Sequence, residues 1–167
     1  MNALLDFLFE HTLVRAIASL VQRVTDLMQA WLTPLFDLGL RLYVANVFFS
    51  SGWQKLSDWE STVSLFQYEY HVPLLPPALA AAMGAAGELS LPVLLVAGLL
   101  SRFGAAGLFV VNLVAVLSYP DLSDVGKQDH LLWGTMLLVT VFHGPGRWSL
   151  DHWLKRHWQG AMPERLQ

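Results

Sequence analysis

A long apolar stretch, Pro77 to Ser101, constrains the fold of this chain more than any other feature. A helix of about 25 residues, rising ~1.5 Å per residue, is long enough to cross the ~30 Å hydrocarbon core of a bilayer. Glu88, near the middle, is the only ionisable residue in the stretch. A carboxyl group at mid-membrane is unfavourable unless it faces protein or water. The stretch therefore predicts a transmembrane helix in which Glu88 is a candidate functional residue.

The composition also indicates a membrane protein. Hydrophobic residues make up 54% of the chain and charged residues only 14%, whereas soluble domains carry about 25% charged residues. The net charge of -3 provides no broad basic surface for nucleic acid. The absence of cysteine excludes disulfides, thiolate nucleophiles and iron–sulfur clusters held by thiolates. Redox chemistry in this chain would therefore need a bound cofactor or a partner.

Apolar runs and helical periodicity predict the rest of the architecture. Transmembrane helices are expected at about residues 34–53, 77–101, 103–119 and 124–143. The last of these has a short apolar part for a full span. Polar residues recur at the helical period in residues 1–33, which predicts an amphipathic helix against lipid or protein, and residues 147–167 predict a second such helix with a tail. We therefore expect an all-α integral membrane four-helix bundle over residues 34–146, with amphipathic interfacial helices at both ends.

Basic residues are unevenly distributed between the predicted loops. With four spans, eight of the ten Lys and Arg residues fall on the side of the two termini, and only Lys55 and Lys127 fall on the other side. Lys and Arg are enriched in cytoplasmic segments. We therefore predict a multi-pass protein of the bacterial inner membrane with both termini in the cytoplasm.

Polar residues at similar depth form a first candidate site. Counting ~1.5 Å per residue from the helix ends places Asn46, Glu88 and Asn112 in one layer of the bilayer. If they face inward, Glu88 is a candidate proton acceptor and the two amides are candidate ligand-binding groups. Arg41 either adds a further donor or pairs with Asp37, four residues earlier on the same helical face. The alternative for the cluster is structural, because Asn and Glu also hold membrane helices together.

The outer loops contain a second candidate site. His71 lies on one loop, and Asp129 and His130 lie near the start of the last predicted span. Histidine and carboxylate side chains are suitable ligands for zinc or copper, but adjacent residues on a helix point about 100° apart. A solvated acidic loop is the alternative to a metal site. The sequence contains no motif for a phosphate-cradling loop or a dinucleotide cofactor.

Three motifs carry a family resemblance. They are Gly52-Trp53-Gln54-Lys55-Leu56, a span with a central Glu88 followed by Arg102, and Gly144-Pro145-Gly146-Arg147-Trp148-Ser149-Leu150-Asp151. With these motifs the chain resembles the DoxX family of small four-helix membrane proteins of bacteria and archaea. Two more segments, Tyr68 to Pro77 and Tyr119 to Ser123, are similar to a proteobacterial branch often encoded beside genes for modified, metal-binding peptides.

The resemblance implies a function as well as a fold. Relatives include a membrane subunit of a thiosulfate:quinone oxidoreductase and a subunit of a complex linked to thiol and superoxide defence. The resemblance therefore implies a membrane subunit of a quinone-linked oxidoreductase, surrounded by lipid, with quinone as the cofactor and an electron-carrying protein as the partner. The predicted depth of the polar residues, rather than the resemblance, gives them their roles: Glu88 would handle protons, Asn46 and Asn112 would orient the quinone headgroup, and Arg41 would be a further donor. The alternative is a non-catalytic anchor or transport component, monomeric or oligomeric, of a metal-stress or modified-peptide export system.

Overall fold

The computed structural model describes residues 2–161, and it describes side chains from residue 11 to residue 158. Throughout residues 2–161 the regular structure is helical, which confirms the predicted all-α class. The helices are α1 (Asn2–Leu27), α2 (Thr33–Ser57), α3 (Trp59–Tyr68), α4 (Pro77–Ala97), α5 (Ser101–Ser118), α6 (Asp124–His143) and α7 (Leu150–Ala161). A π-helical turn, Met28–Leu32, separates α1 from α2. The predicted C-terminal tail beyond residue 161 lies outside the described residues.

Three helical stretches within the described residues are long and apolar enough to cross a membrane. They are His11–Ser57, Pro77–Ala97 and Ser101–Ser118. Helix α6 occupies the predicted range 124–143, but it is not apolar enough along its length to meet this criterion, because its first two turns are polar. The count of four spans therefore stays a prediction.

The chain divides into two compact units, residues 1–36 and residues 37–167. The N-terminal unit contains α1 and the π-helical turn, whose described side chains are almost all exposed. Apolar residues recur three or four positions apart along this segment, and they include Leu13, Ile17, Leu20, Val24, Leu27 and Trp31. Polar residues lie between them, and Gln22 donates a hydrogen bond to Asp26 at 3.0 Å. The unit thus has the amphipathic pattern of a helix that contacts lipid or protein on one side.

The C-terminal unit is a bundle with an apolar core between α2, α4, α5 and α6. Its fully buried residues are Val44, Ala45, Phe48, Leu95, Ala105, Leu108 and Leu137. Two of these side chains, Ala45 and Ala105, are small, which lets neighbouring helices approach closely. Short helix α3 packs against the first half of α4, where Phe66 and Ala81 form a second buried cluster.

Helix α3 begins as its sequence suggests, with one residue of difference. The pattern from Ser57 to Glu60 predicts a capping box. In the structure Asp58 is the N-cap and its side chain accepts a hydrogen bond from the backbone N–H of Ser61 at 3.1 Å. Ser57 instead donates to the carbonyl of Trp53 within α2. Hydrogen bonding from the Ser61 side chain, and then from the Ser61 backbone N–H, lowers the pKa of Asp58.

The turn between α4 and α5 is held by the segment that begins α7. Helix α4 ends at Ala97, and its C-cap residue Gly98 has a φ of 69°, in the left-handed region that favours glycine. The carboxylate of Asp151 accepts hydrogen bonds from the backbone N–H groups of Leu100 at 2.8 Å and Ser101 at 2.9 Å. The backbone N–H of Asp151 in turn donates to the carbonyl of Gly98 at 2.8 Å. Asp151 therefore caps the start of α5.

Arg41 on α2 is buried against the same turn. Its guanidinium donates to the carbonyls of Leu95 at 3.1 Å, Val96 at 3.3 Å and Trp148 at 2.5 Å. Leu95 and Val96 lie in the last turn of α4, where carbonyls lack the usual helical donor four residues later, although the N–H of Gly98 also reaches the Leu95 carbonyl at 3.3 Å. A cation at this position also complements the helix dipole. The predicted ion pair between Arg41 and Asp37 does not form, because these carbonyls take the guanidinium instead.

We expect Arg41→Gln to destabilise the protein strongly. A glutamine is too short to reach three carbonyls on two segments, and each buried carbonyl left without a donor costs about 1–3 kcal/mol. The thermal unfolding midpoint of the detergent-purified protein, followed by circular dichroism, should fall by several degrees. Arg15→Gln, at an exposed position of α1, is the control and should leave the midpoint unchanged. Equal midpoints for Arg41→Gln and wild type would contradict this role.

Candidate functional site

A buried ion pair joins α2 to α4. Lys55 Nζ lies 2.6 Å from Glu88 Oε2, and the two side chains are only 16% and 8% exposed. Lys55 also donates to the hydroxyl of Ser51, one helical turn earlier, at 2.8 Å. Burying two charges is costly unless they are paired and hydrogen-bonded. The carboxyl group that the sequence singles out is therefore compensated by a lysine at the end of α2.

Gly52 makes this pairing sterically possible. A Cβ atom at Gly52 would lie 2.9 Å from the Cβ of Glu88 and 3.0 Å from the Cγ of Leu89. The backbone of α2 thus passes directly over the Glu88 position of α4, which a larger residue would prevent. Lys55 follows Gly52 by about one turn, so its side chain starts from the same face of α2.

Pro92 leaves a backbone carbonyl unpaired in the same part of α4. It lies inside the helix and is buried. Because proline has no N–H group, it leaves the carbonyl four residues earlier, that of Glu88, without its intrahelical donor. Both the side chain and the backbone of Glu88 therefore contribute acceptors at one level of the bundle.

A mostly apolar cavity of about 190 Å³ adjoins the ion pair. It is lined by Lys55, Glu88, Phe66, Tyr70, Val72, Leu75, Ala80, Met83, Gly84, Val110, Val111, Val114 and Ala115. These residues come from α2, α3, α4, α5 and the loop before α4. Small residues on α4 create the space, while aromatic and branched side chains form the walls. The cavity thus presents one cation and one carboxylate in an apolar enclosure.

Stacked aromatic rings close one side of the cavity. Tyr70 stacks on Phe66 with ring centroids 4.7 Å apart and on Tyr119 with centroids 5.0 Å apart. The loop that carries Tyr70 is tied down, since the backbone N–H of His71 donates to the carbonyl of Ser118 at 2.7 Å. Burial, and the negative charge of Glu88, raise the pKa of the Tyr70 phenol. Tyr70 is therefore a protonated, half-buried phenol beside the ion pair.

The structure does not bring together Glu88, Asn46 and Asn112. Asn46 is exposed and lines a separate groove between α2 and α4. Nine residues separate Asn46 from Lys55, which is about two and a half helical turns, so the two side chains leave α2 on opposite faces. Arg41 lies on the Lys55 face but about 21 Å away along the helix axis. The sequence argument counted only the distance of each residue along its helix, whereas the rotation of each helix about its axis decides which side chains face one another.

Asn112 has a different partner. Its amide Nδ2 donates to the carbonyl of His130 at 2.9 Å, and its Oδ1 lies 2.7 Å from Nδ1 of the same histidine. The His130 ring also contacts Trp133 edge-on, with centroids 4.9 Å apart. Asn112 and His130 therefore join α5 to α6, which is the structural role that the sequence left open for a midplane amide.

The predicted metal ligands do not converge. His71 and Asp129 are exposed, and the ring of His130 is turned to Asn112. Within the described part of the chain, no three His, Asp or Glu side chains lie close enough together to hold a metal ion. The sequence hypothesis of a site with His71, Asp129 and His130 therefore finds no geometric support.

Lys55 and Tyr70 are the residues that the sequence reasoning missed. The signal for Lys55 was present, because a buried carboxylate needs a compensating cation and only two basic residues were placed on the outer side. Lys55 also lies three residues after Gly52, near the end of its helix, and a glycine at that spacing allows another helix to approach the same face. Tyr70 gave no comparable signal, since its position depends on how the loop after α3 folds back on the bundle.

The residues that line the cavity fall inside the part of the chain that matches a known family. The family model described as DoxX matches residues 36–120, which include Lys55, Tyr70 and Glu88. An uncharacterized protein of Haemophilus influenzae is 29% identical over 124 residues, which are 70% of this chain and 82% of that protein. No solved structure matches the chain.

Removing one partner of the buried ion pair should destabilise the protein more than removing both. We expect Lys55→Met and Glu88→Leu to cost about 3–5 kcal/mol each, because each leaves an uncompensated buried charge. The double variant should recover most of this loss. Thermal unfolding midpoints of the four proteins in detergent provide the test.

The exposed ion pair of Lys127 with Asp124, at 3.2 Å, is the matched control. Lys127→Met should change the midpoint little, since exposed pairs contribute about 0–1 kcal/mol. Additive losses in the Lys55 and Glu88 double variant would show that the two side chains do not interact in solution.

Proposed function

Because this chain belongs to the DoxX family, we propose that it is the membrane subunit of a redox system that exchanges electrons with the quinone pool. The protein is a membrane protein, as its apolar helices and its family indicate. The observation that carries the proposal is the apolar cavity with the Lys55–Glu88 pair at its edge. We propose that this cavity receives a quinone headgroup.

The chemistry of the cavity suits such a ring. Val110, Val114 and Met83 offer apolar contact to a neutral ring and its tail, and Tyr70 and Phe66 offer aromatic faces. Lys55 can donate a hydrogen bond to a carbonyl oxygen, and Glu88 can accept one from a hydroxyl group. A ligand that has carbonyls in one redox state and hydroxyls in the other would therefore find a partner in both.

The ion pair also suits proton exchange. Reduction of a quinone to a quinol consumes two electrons and two protons. Lys55 and Glu88 share a hydrogen bond of 2.6 Å, so a proton moving between them changes a charged pair into a neutral one. Tyr70 is a further protonated group at the cavity. We propose that these groups pass protons to or from the bound ring.

The electrons come from a partner in this proposal. The chain has no cysteine, and its described residues hold no group of three metal-ligating side chains of the His, Asp and Glu type. A partner protein of the redox system would therefore carry the electron donor or acceptor. The proposal includes the bacterial inner membrane, four spans and cytoplasmic termini, which the distribution of Lys and Arg supports.

Quinone bound to the purified protein is the direct test. We expect an organic extract of the detergent-purified wild type to contain quinone, and we expect Glu88→Gln and Lys55→Gln to retain several-fold less. Each variant removes one hydrogen-bonding charge from the cavity edge. Ser90→Ala is the control on the same helix, because Ser90 is exposed and bonds only to the carbonyl of Ala86. Quinone content equal in all four proteins, or absent from wild type, would contradict the site.

Filling the cavity offers a test that leaves the ion pair intact. Gly84 lines the cavity opposite the ring of Phe66, and a Cβ atom added at Gly84 would lie 3.6 Å from that ring. We expect Gly84→Leu to exclude quinone while the thermal midpoint stays within a few degrees of wild type. The measurement is quinone content by liquid chromatography together with the unfolding midpoint. Retention of quinone by a folded Gly84→Leu variant would place the ligand elsewhere.

An anchor or transport role is the competing outcome. The exposed apolar side chains of the N-terminal unit favour contact with lipid or with another protein. A wild-type extract free of quinone, combined with stable copurification of a soluble partner, would favour that role. The buried ion pair would then be a structural link between α2 and α4.

A further inference from the structure

A second cavity lies at the other end of the C-terminal unit. It has a volume of about 690 Å³ and lies between the start of α5, the turn after α6 and the start of α7. The volume is typical of small-molecule sites. Basic side chains line it, namely Arg102, His143, Arg147, His152 and Lys155. We call this space the basic cavity.

Three cations of the basic cavity have no carboxylate partner. Arg102 donates to the carbonyl of Phe142 at 3.3 Å. Its guanidinium also packs beside Gly144, where an added Cβ atom would lie 3.5 Å from it. Arg147 and Lys155 make no hydrogen bond or ion pair with another described residue. All three side chains are exposed. The cavity therefore presents several N–H donors and positive charges that the described protein does not neutralise.

Two carboxylates, Asp37 and Asp151, also line the cavity. Both oxygens of Asp151 accept hydrogen bonds from the backbone at the start of α5. Asp37 lies against Gly146. The three cations that line the cavity, together with the buried Arg41 next to it, outnumber these two carboxylates. The net charge around the cavity is therefore positive.

Apolar side chains adjoin these cations. Leu100 and Phe103 also line the cavity, and they are 61% and 66% exposed. Trp148 and Trp153 are exposed on the neighbouring segment and helix. Tryptophan and arginine beside exposed apolar residues are typical of the headgroup level of a bilayer. Basic pockets at the ends of membrane helices suit lipid headgroups that carry phosphate.

We propose that the basic cavity binds a phosphate group with net negative charge. Arg102, Arg147 and Lys155 supply the donors, since guanidinium and ammonium groups form strong, charge-assisted hydrogen bonds to phosphate oxygens. The apolar rim at Leu100 and Phe103 fits the start of an acyl chain, so an anionic phospholipid is the source that the geometry favours. A free phosphate compound offers the same oxygens without the chain. This site is separate from the quinone cavity and does not depend on it.

The test uses the full-length protein in a neutral detergent. The probes are dioleoylphosphatidylglycerol, dioleoylphosphatidylcholine and inorganic phosphate, each added in increasing amounts. The readouts are the thermal unfolding midpoint and the lipid retained in native mass spectrometry. We expect phosphatidylglycerol to be retained and to raise the midpoint at low ionic strength, less so at high salt. We expect phosphatidylcholine, which carries no net charge, to do neither.

Variants then locate the binding. Arg147→Gln and Lys155→Gln should each weaken retention of phosphatidylglycerol roughly tenfold, because each removes a charged donor. The side chains at these two positions make no hydrogen bond or ion pair with another described residue, so each variant should still fold. Arg156→Gln is the matched control, since Arg156 is exposed on α7 but does not line the cavity.

The possible results distinguish a lipid headgroup from a free phosphate compound, and they also show when the proposal is wrong. Stabilisation by phosphatidylglycerol alone supports the site and assigns it to a lipid headgroup. Stabilisation by inorganic phosphate that Arg147→Gln abolishes supports the site and assigns it to a free phosphate compound. The proposal is overturned if neither probe binds, if phosphatidylcholine binds as well as phosphatidylglycerol, or if Arg156→Gln weakens binding as much as Arg147→Gln does.

Discussion

The guanidinium of Arg41 is the interaction on which one end of the bundle depends. It joins three backbone carbonyls from two segments that are far apart in the chain, at the end of α4 and just before α7. Helix ends leave carbonyls without partners, and water is scarce where these helices pack. The buried cation therefore satisfies the end of α4 and fixes the segment at Trp148 at the same time. Asp151 completes the junction by capping the start of α5.

At the other end of the bundle, the Lys55–Glu88 ion pair joins α2 to α4, as Arg41 joins α2 to the end of α4. Gly52 lets α2 approach α4 closely enough for the two charges to meet. The small residues of α4 then leave space beside the pair, and the loop with Tyr70 covers that space. A buried pair of this kind adds little to stability in comparison with apolar packing. Its position beside a cavity is the reason why we connect it with binding and proton exchange.

The two cavities differ in the chemistry that they offer. The smaller one is apolar with one balanced ion pair, which suits a neutral ring that gains or loses protons. The basic cavity has cations without carboxylate partners beside exposed Leu100 and Phe103, which suits an anion with an apolar attachment. They lie at opposite ends of one helical unit.

The sequence by itself determined the helices and their approximate ends, and it indicated that the carboxyl group of Glu88 must face other protein groups or water. Hydropathy, helical period and capping residues such as Ser123, whose side chain accepts from the N–H of Gly126, act over a few neighbouring residues and can be read locally. Only the tertiary structure decided which side chains meet. The residue of α2 that passes over Glu88 is Gly52, and the rotation of α2 about its axis turns Lys55 rather than Asn46 toward the carboxylate. Arg41 likewise bonds to carbonyls more than 50 positions away instead of to Asp37. Helix rotation and the docking of the terminal segment follow from packing between distant residues, and one sequence contains no local pattern for them.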